Sequence, residues 1–66
     1  EAIAALRTTV ELAPREATYQ YHLGLAYAQN NEPQHARDAL ERALRLDKTF
    51  AQATEARRVL EELRAR

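Results

Sequence analysis

Apolar side chains return every three or four positions along most of the chain, the interval at which successive turns of an α-helix bring residues onto one face. Ile3, Leu6 and Val10 mark such a face in a first segment, Ala2 to Ala13. A second segment, Thr18 to Gln29, has Tyr19 or Tyr21 near its start and Leu23, Ala26 and Tyr27 after it. The third, from Pro33 to about Leu46, carries Ala36, Ala39, Leu40, Ala43 and Leu44. In the fourth, Ala51 to about Ala65, Ala53, Ala56, Leu60 and Leu63 form one narrow stripe. Pro14 closes the first helix, because proline disfavours helical geometry in the residue before it. Asn30, Asn31 and Glu32 make a turn, with Asn31 able to take positive φ. Pro33 then fits the first turn of the next helix, where its missing N–H is harmless. Asp47-Lys48-Thr49 is a further turn, and Thr49 is placed to cap the fourth helix. Helices joined by connections this short run antiparallel to their neighbours. Either a closed four-helix bundle or a stack of helical hairpins satisfies that condition.

Comparing the chain with itself separates the two. At an offset of 34 residues, Ala2 falls on Ala36, Ala5 on Ala39, Leu6 on Leu40, Leu12 on Leu46 and Ala17 on Ala51. Val10 meets Leu44 and Leu25 meets Val59, so nearly all the matches lie on apolar faces. Two helices per unit at this period are the mark of a helical solenoid.

Leu23-Gly24-x-x-Tyr27, Ala36-x-x-x-Leu40 and Ala43 resemble the tetratricopeptide repeat, position by position. The residue types have physical reasons. Gly24 and Ala36 are small where the two helices of a hairpin cross closely, Leu23 and Tyr27 fill the space beside the crossing, and Ala43 lets the next unit approach. The resemblance implies an all-α fold, antiparallel hairpins stacked as a right-handed α-solenoid with four helices. On this register residues 1–13 are the second helix of a preceding repeat, 17–50 a complete repeat and 51–66 a C-terminal capping helix. Pro14 takes the place of the proline that ends a preceding unit. Gln20 stands where the family often has tryptophan, Lys48 replaces the repeat-ending proline and Asn31 replaces the usual turn glycine.

The fourth helix has a single dry stripe, while Thr54, Arg57, Arg58 and Glu61 occupy the side that would meet a further helix. Repeat arrays need such a solvated end. Pairs at i,i+4, Arg57 with Glu61, Arg58 with Glu62 and Glu62 with Arg66, support that face by a few tenths of a kcal/mol each. At the other end Ile3 and Leu6 are expected to be partly uncovered. Upstream repeats of the same chain would cover them, or two copies would pair through Ile3, Leu6 and Val10 as a homodimer. The first residue is Glu1 rather than Met, which points to a cut inside a longer protein.

Composition narrows the function. Ten basic and ten acidic side chains cancel, whereas nucleic-acid and anionic-membrane surfaces require a basic excess. The arginines of the fourth helix are interleaved with glutamates, so no basic patch forms. No apolar run is long enough to span a bilayer and no signal-peptide pattern opens the chain, which favours a soluble cytoplasmic protein. Without cysteine, disulfides and thiolate metal sites are excluded. His22 and His35 lack the further ligands a metal would need, and serine and cysteine are absent, so no nucleophile and base can be paired. The chain is expected to be no enzyme and to hold no cofactor and no metal.

A chain of 66 residues hides only about 60% of its unfolded surface and leans on its neighbours. The resemblance then implies protein–protein interaction: a rigid curved scaffold whose first helices line a concave groove that binds a peptide segment of a partner. The family's groove positions fall on Thr18, Tyr21, Leu25, Ala28 and Gln29, with Gln52, Glu55 and Val59 from the last helix. An aromatic and two aliphatics suit an extended or helical peptide with apolar anchors. For Tyr21 and Leu25 the alternative is packing on the adjacent repeat. Family members that clamp the C-terminal carboxylate of chaperones use lysine, arginine and asparagine at positions that here hold Tyr21, Leu25 and Gln29, so that activity is not expected. The chain can also be a passive arm of a larger enzyme.

Overall fold

The computed structural model describes residues 2–65, with side chains from residue 3 onward. Four helices follow one another, α1 (Ala2–Leu12), α2 (Ala17–Gln29), α3 (Pro33–Leu46) and α4 (Ala53–Arg64). Each packs on the next, α1 on α2, α2 on α3 and α3 on α4. The body measures 32 × 27 × 14 Å. Helices of this length are about 20 Å long, so four gathered around one axis would be shorter and rounder. The chain is a stack.

Two hydrophobic clusters, on either side of the α2–α3 hairpin, make the same point. One holds Tyr21 of α2, Ala36, Leu40 and Ala43 of α3, Phe50 of the following loop, and Ala53, Ala56, Leu60 and Leu63 of α4. The other joins Ile3 of α1 to Leu23 and Ala39, with Leu6, Val10, Ala26 and Tyr27 packed against it. Neither cluster contains both α1 and α4 residues. Helix α2 lies between them, which explains its sequence: apolar side chains occur all around it, as expected of a helix with neighbours on several sides.

The hairpin closes at Gly24. A Cβ there would lie 2.8 Å from Leu40 Cγ, 2.9 Å from Leu40 Cδ2 and 3.4 Å from the Ala36 carbonyl oxygen. Leu40 and Ala36 are both fully buried, so neither can withdraw into solvent. At the end of α2 the chain turns through Asn31, at φ 60°. The Glu32 N–H donates to the Tyr27 carbonyl at 2.9 Å and the Asn31 N–H to that of Ala28 at 3.2 Å. These two bonds are the Schellman arrangement, which satisfies carbonyls that the helix leaves free.

Several expectations are corrected. Helix α4 starts at Ala53 rather than Ala51, behind a connection spanning 47–52. Its N-cap is Gln52, not Thr49. The Thr49 N–H and hydroxyl both donate to Asp47 Oδ1, at 2.9 and 3.0 Å, so Thr49 closes an Asx-type turn instead. Arg58 pairs with Glu62 and also with Glu55. Arg57 donates to the Lys48 carbonyl at 2.7 Å instead of pairing with Glu61, and Arg66 lies outside the described residues. A pair absent from the sequence reading, Arg64 with Glu41 at 3.1 Å, ties α4 to α3. Being exposed, these pairs contribute little each. Ile3, expected to be partly uncovered, is buried against Leu23 and Ala39, because α1 lies across the hairpin. The anchor of the homodimer expectation is thus covered from within the chain, and Leu6 and Val10 remain half-buried.

Candidate partner-binding surface

The eight residues expected to line a groove lie on α2 and around the start of α4. Thr18, Tyr21, Leu25 and Ala28 recur every three or four residues along α2, a single face, with Gln29 at its last position. Gln52 caps α4, and Glu55 and Val59 follow on its first two turns. Leu25, Ala28 and Val59 are half-buried and pack against the cluster that contains Tyr21. Thr18, Gln52 and Glu55 are half-buried and Gln29 is exposed. Three half-buried apolar residues and four polar ones thus lie on these two helices or at the cap of α4.

Tyr21 does not stand open on this surface. It is 6% exposed, with its ring edge-on to Phe50 at 5.9 Å. Edge-on aromatic pairs stabilise by about 0.5–1.5 kcal/mol beyond what their buried area contributes. Burial first, and the Glu55 carboxylate second, raise the Tyr21 hydroxyl above its ordinary value of 10.0, with Arg58 opposing. A tyrosine whose proton is held more tightly in the folded state stabilises the fold fully below pH 10 and loses that contribution as pH climbs through the raised value. A urea titration series from neutral to strongly alkaline pH is expected to show this fall, and Tyr21→Phe to reduce it.

Arg58 was not among the expected groove residues, yet it borders the surface between Glu55 and Glu62. Its hydrogen bond holds the Glu55 carboxyl below the usual carboxylate range, so the margin here keeps a paired negative charge. The signal was present in the sequence as carboxylates three residues before and four after it. The Gln52 Oε1 atom is buried without a hydrogen-bond partner among the described residues.

Each histidine packs on a tyrosine. His22 leans on Tyr21 with ring centroids 5.5 Å apart, and His35 on Tyr27 at 5.1 Å. Among the described residues no three histidine, aspartate or glutamate side chains converge as metal ligands, and no helix is long and apolar enough to cross a membrane.

The family model for the tetratricopeptide repeat matches residues 17–50, which are α2, α3 and the connection up to Phe50. The chain belongs to the tetratricopeptide repeat family. Repeats of this family generally mediate protein–protein interaction. No curated protein and no solved structure matches the chain significantly. Within the tetratricopeptide unit the motif residues do what their sizes require. Leu23, Gly24, Ala36, Leu40 and Ala43 are buried, Tyr27 packs against both clusters, and Pro14 is exposed in the turn before α2.

Proposed function

We propose that the chain is a scaffold that binds a peptide segment of a partner protein along the strip between α2 and α4. One observation supports this most: Leu25 and Ala28 of α2 and Val59 of α4 are half-buried apolar residues packed against the same cluster. Gln29, Gln52 and Glu55, on the same two helices or at their ends, are polar and exposed or half-buried. Tyr21 lies beneath the strip as part of its foundation. Because α2 and α4 are held by the core below, the strip is shaped before the partner arrives, which lowers the ordering cost of binding. Apolar anchors of a partner segment would sit on Leu25 and Val59, and its polar groups would meet Gln29 and Glu55. In this reading α1 is the second helix of a preceding unit. Helix α4 serves as a capping helix, which its exposed Thr54, Arg57, Arg58 and Glu61 support. No catalytic role is assigned to any residue.

The test is selection of peptides from a displayed library on the immobilised chain, followed by titration of the selected peptides. Leu25→Glu and Val59→Lys are expected to weaken those peptides at least roughly tenfold, equivalent to about 1.4 kcal/mol, with helicity unchanged by circular dichroism. Selected peptides that bind both variants as well as the original chain would defeat the proposal.

A further inference from the structure

A concavity lies between one face of α2 and one face of α3, on the side of the hairpin where Leu23 and Ala39 pack with α1. Its volume is about 170 Å³. Sites for drug-sized ligands are typically about 300 Å³ or more, so this one is of a size for a single side chain. Leu23 and Ala39, 7% and 6% exposed, supply apolar lining. Tyr27 and His35 add a wall of two rings, tilted 48° to each other with centroids 5.1 Å apart. Gln20 completes the lining, and it is the one buried polar residue of the described core, at 3% exposure. Its side-chain amide takes part in none of the side-chain hydrogen bonds among the described residues. Nor is it among the polar atoms sealed from solvent without a partner. The pocket it lines is therefore its route to one.

We propose that this pocket receives one tyrosine-like side chain of a partner polypeptide, a flat ring ending in a hydroxyl. A flat ring suits the Tyr27 and His35 wall and the Leu23 and Ala39 lining. A ring without a polar tip would cover the Gln20 amide and leave it unsatisfied, which is costly for a buried polar group. A carboxylate or ammonium tip carried as far as the Gln20 amide would lose its hydration beside the buried Leu23 and Ala39. A phenolic hydroxyl both donates and accepts, and the glutamine amide offers both complements. Asp38 and Arg42 also line the pocket; both are exposed, one helical turn apart on α3, and neither belongs to an ion pair among the described residues. They are placed for the backbone N–H and carbonyl groups on either side of the anchoring residue. This inference does not depend on the α2–α4 strip.

The experiment is an NMR titration of the isotope-labelled chain with N-acetyl-tyrosine amide and, separately, N-acetyl-phenylalanine amide. The tyrosine probe is expected to give saturable shifts at the Gln20 side-chain amide, Tyr27, His35 and Ala39. The phenylalanine probe, lacking only the hydroxyl, should bind roughly tenfold more weakly. Gln20→Leu should bring the two affinities together. Gln20→Trp, whose indole fills the pocket, should abolish both responses, with helicity checked by circular dichroism. Equal affinity for the two probes, shifts that survive Gln20→Trp in the folded variant, or the absence of saturable shifts at these residues would each overturn the proposal.

Discussion

Leu40→Ala is expected to lower the unfolding free energy by about 3–4 kcal/mol, measured by urea denaturation followed by circular dichroism. Leu40 is the largest fully buried side chain among the described residues, and removing it loses both its transfer energy and the packing around the space left behind. A domain of this size has roughly 3–10 kcal/mol in all, so the loss is a large share of the total. The partner of Leu40 at the crossing sharpens the test. Gly24→Ala alone improves helix propensity by about 1 kcal/mol, yet its Cβ would sit 2.8 Å from Leu40 Cγ. Overpacking of this kind costs about 1–3 kcal/mol, so the expected net effect is a loss. Combined with Leu40→Ala the clash disappears, and Gly24→Ala should become neutral or stabilising. A cycle coupling of at least about 1 kcal/mol is the signature of a steric crossing. Strict additivity would show that Gly24 is not there for space.

Tyr21→Ala should be comparably damaging, about 3–4 kcal/mol by the same measurement, since it removes a buried ring from the centre of the α2–α4 cluster. Tyr21→Phe keeps that ring and should cost under about 1 kcal/mol. The pair separates two roles. A tyrosine that only lined an open groove would be truncated with little loss of stability, because exposed positions usually respond by less than about 0.5 kcal/mol. A loss that small for Tyr21→Ala would place the side chain on the surface after all.

The fold was largely legible because it depends on the sizes of a few side chains at fixed spacing. Gly24, Ala36, Leu40 and Ala43 announce a close crossing, and the offset that lays Ala2 on Ala36 announces a stack. Helices α1 to α3 begin and end within about one residue of the pattern. Helix α4 starts later because its boundary is set by hydrogen bonds at Asp47 and by burial of Phe50, neither of which leaves a periodic trace. The surface was less legible, for a reason that lies in α2. Its apolar residues surround it, so periodicity cannot say which of Tyr19, Tyr21 and Leu25 meets a neighbouring helix and which meets solvent. The structure decides: Tyr21 is buried, Leu25 half-buried and Tyr19 37% exposed. The side-chain pocket had only one sequence signal, Gln20 at a position where the family often carries a much larger residue. That residue reads as a tolerated variation until the pocket beside Gln20 is seen.

Methyl-to-methyl nuclear Overhauser contacts in the labelled chain test the two-sided stack most directly. Ile3 should show contacts to Leu23 and Ala39, Leu60 and Leu63 should show them to Leu40 and Ala43, and no contact should join α1 to α4. Contacts from Ile3, Leu6 or Val10 to Leu60 or Leu63 would mean four helices closed around a common centre, and would contradict the stack and both binding surfaces that rest on it.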